Sequence, residues 1–393
     1  MDSNIIQIKP HLPEKKQTVV LQRGAPDFPL LALTMMLLAF GVVMVLSASF
    51  PSAYYDEQTN FDPTYYFKRQ VFFAAVGVAA MFLVSRVSLQ TVRRFTLPIF
   101  AFAVLMLAVV LATAPVNGAR RWIRVLGINF QPSEIAKFAV IVLYANMITN
   151  AGKRMKTFRY GIVPFALVLM LIVGLLVLEP HISCAIIIFA VAIVLLFVGG
   201  VGWQYLLGGG AFATAGIVVA ANTMDYVKNR VDVWRDPFAP QIGDPLYDAA
   251  YQIKQSLWAV GSGGFTGLGL GQGRQEYLYL PEEHNDYIFA IVCEELGFIG
   301  AMAVLILFAL LIIRAFVISM RAPERFSMLV GVGISTLLAV QVILNVAVVT
   351  NFIPCTGISL PFFSYGGTAL MMQLAEMGVL LSISRSIPAR RGV

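Results

Sequence analysis

Acidic residues and a histidine gather in one short stretch, immediately before a long apolar run. The stretch contains Glu282, Glu283, His284 and Asp286. A carboxylate at the start of a membrane helix can have its pKa adjusted for proton transfer, or it can simply cap the helix. Capping is the commoner role for a single acid, but the acids beside it favour chemistry here. Asp286 is therefore the sharpest candidate for base chemistry, with capping as the alternative, and Glu282 and His284 are candidate site residues beside it. A lone histidine such as His284 is more often a hydrogen-bonding loop residue than a ligand.

Cationic residues in two other segments could hold an anion near these acids. Arg120 and Arg121 precede Trp122, and guanidinium groups pair bidentately with phosphate, while an aromatic face suits a sugar or a lipid. The same pattern also fits an interfacial aromatic residue beside snorkelling arginines, and the sequence leaves both interpretations open. Arg230, in the segment that leads to Asp286, is a further candidate for an anion contact.

A third polar group enters a predicted membrane helix. Ser133 is a candidate N-cap, and Glu134 and Lys137 lie one helical turn apart. An ion pair inside a membrane helix is costly and usually faces a cavity or the protein interior. We predict that this pair lines a cavity, and a structural salt bridge between helices is the alternative.

Ser364 and Tyr365 belong to a short segment rich in proline, glycine and aromatic residues. This composition suits a broken segment that lines a cavity within a membrane protein. An ordinary tight loop with interfacial aromatic residues is the alternative. We include both residues in the predicted substrate site.

Several familiar kinds of site are absent from the sequence. The glycine-dense stretch from Gly261 to Gly273 contains neither a P-loop nor a strict GxGxxG pattern. The chain has no GxSxG or HExxH motif, and Cys184, Cys293 and Cys355 lie far apart without metal-ligand spacing. Nucleotide binding and hydrolase chemistry are therefore not predicted. The residues indicate no cofactor or metal site, and a divalent cation is left open.

Composition indicates an integral membrane protein. Of the 393 residues, 59% are hydrophobic and 12% are charged, whereas soluble domains have about 25% charged residues. The net charge of +7 lies in basic clusters between apolar segments, which does not favour nucleic acid as a partner. The apolar segments predict an all-α polytopic protein with about ten transmembrane helices. They lie at 28–50, 70–86, 95–114, 133–149, 161–179, 182–199, 205–222, 286–313, 327–350 and 367–384.

The basic clusters also predict the orientation of these helices. An even number of helices returns both termini to one side, and clusters in alternate loops mark that side as cytoplasmic. Residues 1–27 are then a flexible cytoplasmic tail, 28–385 a transmembrane domain and 386–393 a short cytoplasmic tail. A large loop over 223–286, between the seventh and eighth helices, faces the outside.

Taken together, seven segments resemble the SEDS family (shape, elongation, division and sporulation), which includes FtsW, RodA and SpoVE. The resemblance covers nearly the whole chain from about residue 28 to residue 385, and its motifs occur in the family's order. They are Val43–Ser49, Arg121–Ile123, Gln131–Glu134, Tyr251–Ser256, Tyr279–Asp286, Glu294–Gly297 and Leu360–Gly367.

This resemblance implies a fold of the GT-C type and a glycosyltransferase that polymerises lipid II, an undecaprenyl-diphosphate-linked disaccharide peptide, into peptidoglycan. The reaction would occur at the outer face of the bacterial cytoplasmic membrane, with a class B penicillin-binding protein, a transpeptidase, as partner. The family's essential aspartate, in its Leu-Pro-Glu-x-His-x-Asp motif, falls on Asp286. We expect it to deprotonate an acceptor hydroxyl, while Arg120 and Arg121, with Lys137 or Arg230, hold the diphosphate.

The chain departs from the family pattern at several positions. Asn285 and Tyr287 replace a common Thr and Phe, and His181 begins a run that replaces an acidic-Gly pattern. The N-terminal tail and the Met44–Ser49 motif favour the FtsW and SpoVE branch, with roles in division or sporulation, over RodA. Two other functions stay open, a lipid II flippase and a non-catalytic scaffold for a transpeptidase.

Overall fold

The fold consists almost entirely of helices. A computed structural model describes residues 24–114, 120–125 and 128–387, so most of both predicted tails lies outside the described residues. The helices are α1 (Phe28–Tyr55), α2 (Tyr65–Val84), α3 (Leu89–Arg94), α4 (Thr96–Val110), α5 (Pro132–Ala151), α6 (Phe158–Gly161), α7 (Val163–Leu178), α8 (Ile182–Val198), α9 (Trp203–Thr223), α10 (Asp225–Arg235), α11 (Tyr247–Ser262), α12 (Ile288–Met320), α13 (Arg325–Val349) and α14 (Gly367–Ser386). A hairpin of β1 (Ile123–Val125) and β2 (Ile128–Phe130) precedes α5.

Most of these helices have the length and composition of membrane spans. Seven segments of the described chain are long and apolar enough to cross a bilayer: α1, α2, Pro132–Lys156, Phe158–Leu178, α12, α13 and α14. Helices α4 and α8 are shorter but also apolar. An apolar helix satisfies its own backbone hydrogen bonds, which a bilayer requires. The predicted all-α polytopic membrane architecture is therefore confirmed.

The long helices run back and forth, so their loops gather at two ends of the bundle. We call one of them the Asp286 end, which contains the loops 56–64, 179–181, 224–287 and 350–366. The other is the basic end, which contains the arginines and lysines that follow α2, α5 and α12. The 224–287 segment was predicted to be a loop, but it contains two further helices, α10 and α11. Both are amphipathic and polar, unlike the spans.

A set of hydrogen bonds joins three elements at the basic end. Arg314 on α12 donates to the Asp27 carboxylate at 3.0 and 2.5 Å. Asp27 also caps α1 through Leu30, and its own amide donates to Ser384 on α14. Arg385 accepts from the Gly24 amide at 2.9 Å. The residues before α1 therefore connect the basic ends of α12 and α14 through hydrogen bonds.

Two buried acids at the start of α12 organise the glycine-dense segment. Glu294 accepts from the Arg274 amide at 3.0 Å and from Ser262 at 3.3 Å. Glu295 accepts from Ser47 on α1 at 2.6 Å and from the Gly271 amide at 3.1 Å. Buried carboxylates are tolerated when backbone N–H groups satisfy them. These contacts hold the segment against α12 and position the chain that continues to Asp286.

Glycine is required where this segment meets α12. Gly267 has φ +79°, and a β-carbon there would collide with the carbonyl oxygen of Glu295. Gly297 has φ +66° and interrupts the helical backbone of α12 at the same contact. L-residues rarely adopt this left-handed conformation. The two glycines allow the backbones to approach so closely that the Gly269 amide donates to the Glu295 carbonyl at 2.9 Å.

We expect Gly267→Ala to lower the stability of the protein by about 2 kcal/mol or more, because it combines a strained φ with a backbone collision. The matched control is Gly261→Ala on α11, where nothing lies within 4 Å of an added β-carbon. That change should be neutral or slightly stabilising. Thermal unfolding of the purified variants in detergent measures both, and equal melting temperatures would contradict the assigned contact.

Candidate active site

Asp286 lies two residues before the first residue of α12, where backbone contacts fix its position. Asn345 on α13 donates one amide to the Asp286 carbonyl at 2.9 Å and to the Ile358 carbonyl at 2.6 Å. Ser364 donates to the Asn285 carbonyl at 2.7 Å. The run before α12 is therefore joined to the loop between α13 and α14, and the Asp286 carboxylate lies 2.9 Å from the site of a β-carbon at Gly357.

A cavity of about 1010 Å³ opens beside this carboxylate. It extends among α2, α5, α8, α13 and α14, the hairpin and the loops of the Asp286 end. Eight of the predicted site residues line it: Asp286, Glu282, Arg121, Trp122, Arg230, Glu134, Lys137 and Tyr365. Residues that lie more than 200 positions apart in sequence therefore line the same cavity.

The other four predicted residues have different surroundings. Arg120 is exposed and donates to the Leu111 carbonyl at 2.7 Å. Ser133 is buried without capping α5, since its hydroxyl has no partner among the described residues. Ser364 contacts backbone groups, because its hydroxyl donates to the Asn285 carbonyl and accepts from the Leu360 amide. His284 stacks 4.4 Å from the Tyr66 ring, so it packs against the wall and does not line the cavity.

The electrostatic surroundings of Asp286 favour a carboxyl that titrates near neutral pH. Burial, reinforced by the nearby Glu282, raises its pKa to about 6, while Arg121, Arg230 and His284 favour the ionised form. Both arginines are fixed to backbone carbonyls. Arg121 donates to Pro180, and Arg230 donates to Cys355. A base that is ionised at neutral pH but still able to take a proton suits general base catalysis.

A buried ion pair lines the part of the cavity formed by α5. The Lys137 ammonium lies 2.8 Å from Glu134, and only 4% of the Lys137 side chain is exposed. A buried charge is tolerated only when it is paired or hydrogen-bonded. Because the pair faces the cavity, its ammonium can also contact an anionic ligand there.

Sequence reasoning missed some cavity residues. Arg69 on α2 lies 4.9 Å from the Tyr65 ring centre, hydrogen-bonds with Tyr365 and lines the cavity. The sequence gives little signal for it, because Arg69 lies just before the apolar segment predicted at 70–86, whereas α2 begins at Tyr65 and places it one turn inside the helix. Arg124 on β1 and Gln341 on α13 also line the cavity, and nothing in their spacing indicates it.

The described residues provide no ready metal site. Within the ranges that the structure covers, no three His, Cys, Asp or Glu side chains are grouped closely enough to hold a metal ion. The polar chemistry of the cavity is instead that of guanidinium, ammonium, imidazole, amide and carboxylate groups. Such a set can bind an anion and move a proton at one carboxylate.

Comparison with known families decides where the chain belongs. The family model FTSW_RODA_SPOVE, described as "Cell cycle protein", matches residues 28–388. This chain belongs to the FtsW, RodA and SpoVE family. The match begins at the first residue of α1 and ends two residues after α14, so it includes the whole helical bundle.

Two relatives of this family member belong to its FtsW and SpoVE branches. A probable peptidoglycan glycosyltransferase FtsW of Trichlorobacter lovleyi is 38% identical over 365 residues, which cover 92% of this chain and 93% of the relative. Stage V sporulation protein E of Bacillus subtilis is 38% identical over 368 residues, covering 93% and 98%. The predicted family resemblance is therefore confirmed.

Solved structures share the fold of this family member. One is a chain from a study titled "Structural coordination of polymerization and crosslinking by a peptidoglycan synthase complex", with a TM-score of 0.76 and 30% identity. The other is the rod shape determining protein RodA of Thermus thermophilus, with a TM-score of 0.67 and 27% identity. Each match covers 92% of this chain and 98% of the solved chain.

We expect Asp286 to titrate with a midpoint near pH 6, protonated below and ionised above. The carbonyl band of its carboxylic acid, isolated as an infrared difference between the wild type and Asp286→Asn, measures this midpoint. Arg121→Gln should move the midpoint to higher pH, because it removes a cation that favours the carboxylate.

Arg120→Gln is the matched control for this titration, since its neighbouring guanidinium contacts Leu111 and does not line the cavity. It should leave the midpoint in place. A midpoint near the ordinary aspartate value of 3.8, or equal shifts in both variants, would contradict the described environment.

Proposed function

We propose that this protein is a peptidoglycan glycosyltransferase that polymerises lipid II into glycan strands. The observation that carries the proposal is the placement of Asp286, whose pKa lies near neutrality, in one cavity with Arg121, Arg230 and Lys137. A base and several cations facing a common chamber are what glycosyl transfer from a diphosphate requires. The FtsW and SpoVE relatives support the same reaction.

The reaction assigns one task to each kind of side chain. The acceptor hydroxyl oxygen forms a bond to the anomeric carbon of the donor sugar, and the bond from that carbon to the diphosphate breaks. Asp286 takes the hydroxyl proton as the new bond forms. Arg121, Arg230 and Lys137 stabilise the negative charge that develops on the leaving diphosphate. No covalent bond to the protein is needed.

The cavity walls suit the other parts of lipid II. Trp122 offers an aromatic face for a sugar, and Phe73, Val177 and Ile187 add apolar surface. Arg69 and Tyr365 present polar groups on the side formed by α2. A polar chamber with apolar borders fits a ligand that has a saccharide, a charged linker and a prenyl chain.

The site faces the outside of the cytoplasmic membrane in this proposal. The basic end of the bundle, with Arg86, Arg154, Arg314 and Arg385, is the cytoplasmic side by the positive-inside rule. Both termini then lie in the cytoplasm, and the span from residue 28 to residue 385 is one transmembrane domain. The large 223–286 segment and the cavity open toward the cell wall.

A class B penicillin-binding protein is the proposed partner. The solved structure with a TM-score of 0.76 comes from a study of a peptidoglycan synthase complex that coordinates polymerisation and crosslinking. A transpeptidase would use the glycan strands that leave this cavity. The similarity to FtsW and SpoVE favours a role in division or sporulation.

Charge placement argues against the two alternatives. A flippase should carry ionisable residues along a path to both membrane faces, but the cavity's charged groups belong to the Asp286 end and the adjoining part of α5. Glu376, buried near the middle of α14, does not line this cavity. A non-catalytic scaffold would have no need of a carboxyl whose pKa is raised toward neutrality.

We expect Asp286→Asn to lower the rate of lipid II polymerisation by at least about 100-fold, because the amide cannot accept the proton. The wild-type rate should rise with pH around a midpoint near 6, where the carboxyl ionises. Purified protein in detergent, assayed with and without a class B transpeptidase, measures both, with glycan strands resolved on a gel.

Asp248→Asn is the control, because Asp248 is exposed on α11 and does not line the cavity. It should polymerise at the wild-type rate. Full activity of Asp286→Asn would remove Asp286 from the mechanism. Translocation of lipid II across liposomes, without any strands, would establish the flippase.

A further inference from the structure

The turn between α7 and α8 contains buried polar groups that the proposed mechanism does not use. Glu179 is fully buried, and neither of its carboxyl oxygens has a hydrogen-bond partner among the described residues. His181 is 6% exposed and lines the cavity, and its Nδ1 has no partner in the same part of the chain. Buried polar atoms are nearly always hydrogen-bonded, so an imidazole nitrogen without a partner in a ring at a cavity wall points to a ligand.

Two cations lie close to this imidazole. Arg121 donates to the carbonyl of Pro180, the residue before His181, and this contact holds the guanidinium against the turn. Lys137 lines the same cavity from α5. Burial, Arg121 and Lys137 together lower the pKa of His181 to about 3. With only these neighbours, the ring is therefore neutral and can donate one N–H.

We propose that His181 is a further diphosphate-binding residue, which contacts the same anion as Arg121 and Lys137. The inference rests on the proposed function and extends its binding site to the wall between α7 and α8. A phosphate oxygen accepts hydrogen bonds from guanidinium, ammonium and imidazole N–H groups alike. A ligand in this position would also satisfy the imidazole, whose Nδ1 has no hydrogen-bond partner among the described residues.

Diphosphate binding then changes the charge of His181. Arg121 before β1 and Lys137 on α5 act on the ring directly. The other titratable groups nearby are Glu134, which pairs with Lys137, Glu179 and Cys184, which flank His181 in sequence, and Asp286 and Glu282, which line the same cavity. Glu134 is already paired with Lys137, and burial raises the pKa of Glu179 to about 8, so Glu179 is neutral near pH 7. A bound diphosphate adds negative charge beside the ring and favours its protonated form.

Histidine-selective ¹⁵N labelling provides a direct test, because the chain contains three histidines. The probe is farnesyl-diphospho-N-acetylglucosamine, a diphosphate diester whose phosphates do not titrate near neutral pH. Farnesyl N-acetylglucosamine, without phosphate, is the matched ligand control. His181→Gln and His284→Gln assign the signals in full-length protein held in detergent micelles.

The expected result has two parts. Saturating diphosphate moves the His181 ring signals toward the imidazolium pattern at pH 6.5, while the phosphate-free ligand leaves them in place. His181→Gln raises the Kd for the diphosphate about ten- to hundredfold, which is the loss of one charge-assisted hydrogen bond. Wild-type affinity also strengthens as the pH falls, because binding takes up a proton. Protonation of Asp286 in the same cavity strengthens anion binding as well, so this comparison is made in an Asp286→Asn background, where His181→Gln removes the dependence.

Unchanged His181 signals at saturation would overturn the proposal even if the glutamine variant failed to fold. Equal Kd values and equal pH dependence in wild type and His181→Gln would do the same. Polymerase activity is assayed on the same wild-type sample. A shifted His181 signal without glycan strands would support the binding residue and contradict the proposed polymerase, so the two failures are distinguishable.

Discussion

One buried amide, Asn345, holds the Asp286 end of the bundle together. Its nitrogen donates to the carbonyls of Asp286 and Ile358, which belong to two segments that are also joined by the hydrogen bond from Ser364 to the Asn285 carbonyl. In an apolar interior an unpaired carbonyl is costly, so each segment is stabilised by the presence of the other. The start of α12, the loop before α14 and the catalytic candidate are therefore positioned by a side chain from α13 that itself takes no part in the chemistry.

The chain uses buried acids in two ways that differ in their partners. Glu294 and Glu295 accept hydrogen bonds from backbone N–H groups and hydroxyls, and these bonds hold the glycine-dense segment against α12. Asp286 is instead set among arginines that are themselves fixed to backbone carbonyls. The first arrangement makes an acid structural, while the second leaves a carboxyl whose proton can be exchanged with a substrate.

Hydropathy was sufficient to predict the long helices, because the bilayer requires apolar segments of a definite length. Ten such segments coincide, within several residues, with α1, α2, α4, α5, α7, α8, α9, α12, α13 and α14. The helices α10 and α11 were missed because their amphipathic pattern is short and polar. The family motif and its acidic neighbours select Asp286 as the candidate base, and this role stays a prediction.

The directions of individual side chains could not be predicted from sequence. Arg120 and Arg121 are adjacent, yet one contacts Leu111 and the other lines the cavity, because the backbone before β1 points them apart. His284 belongs to the motif but stacks on Tyr66. His181 and Arg69 reach the cavity from helix ends far away in sequence. The direction of each of these side chains depends on tertiary packing, which cannot be predicted from local sequence patterns.

The fastening at the basic end has a mechanical consequence for the cavity. Asp27 joins Arg314 on α12 to Ser384 on α14, so these helices share a fixed point at one membrane face. Asn345 on α13 holds the start of α12 separately, through the Asp286 carbonyl, so α12 is anchored near both of its ends. A helix anchored at both ends keeps the carboxylate that precedes it at one position in the cavity wall, which a base requires if it is to meet a substrate hydroxyl in a defined geometry.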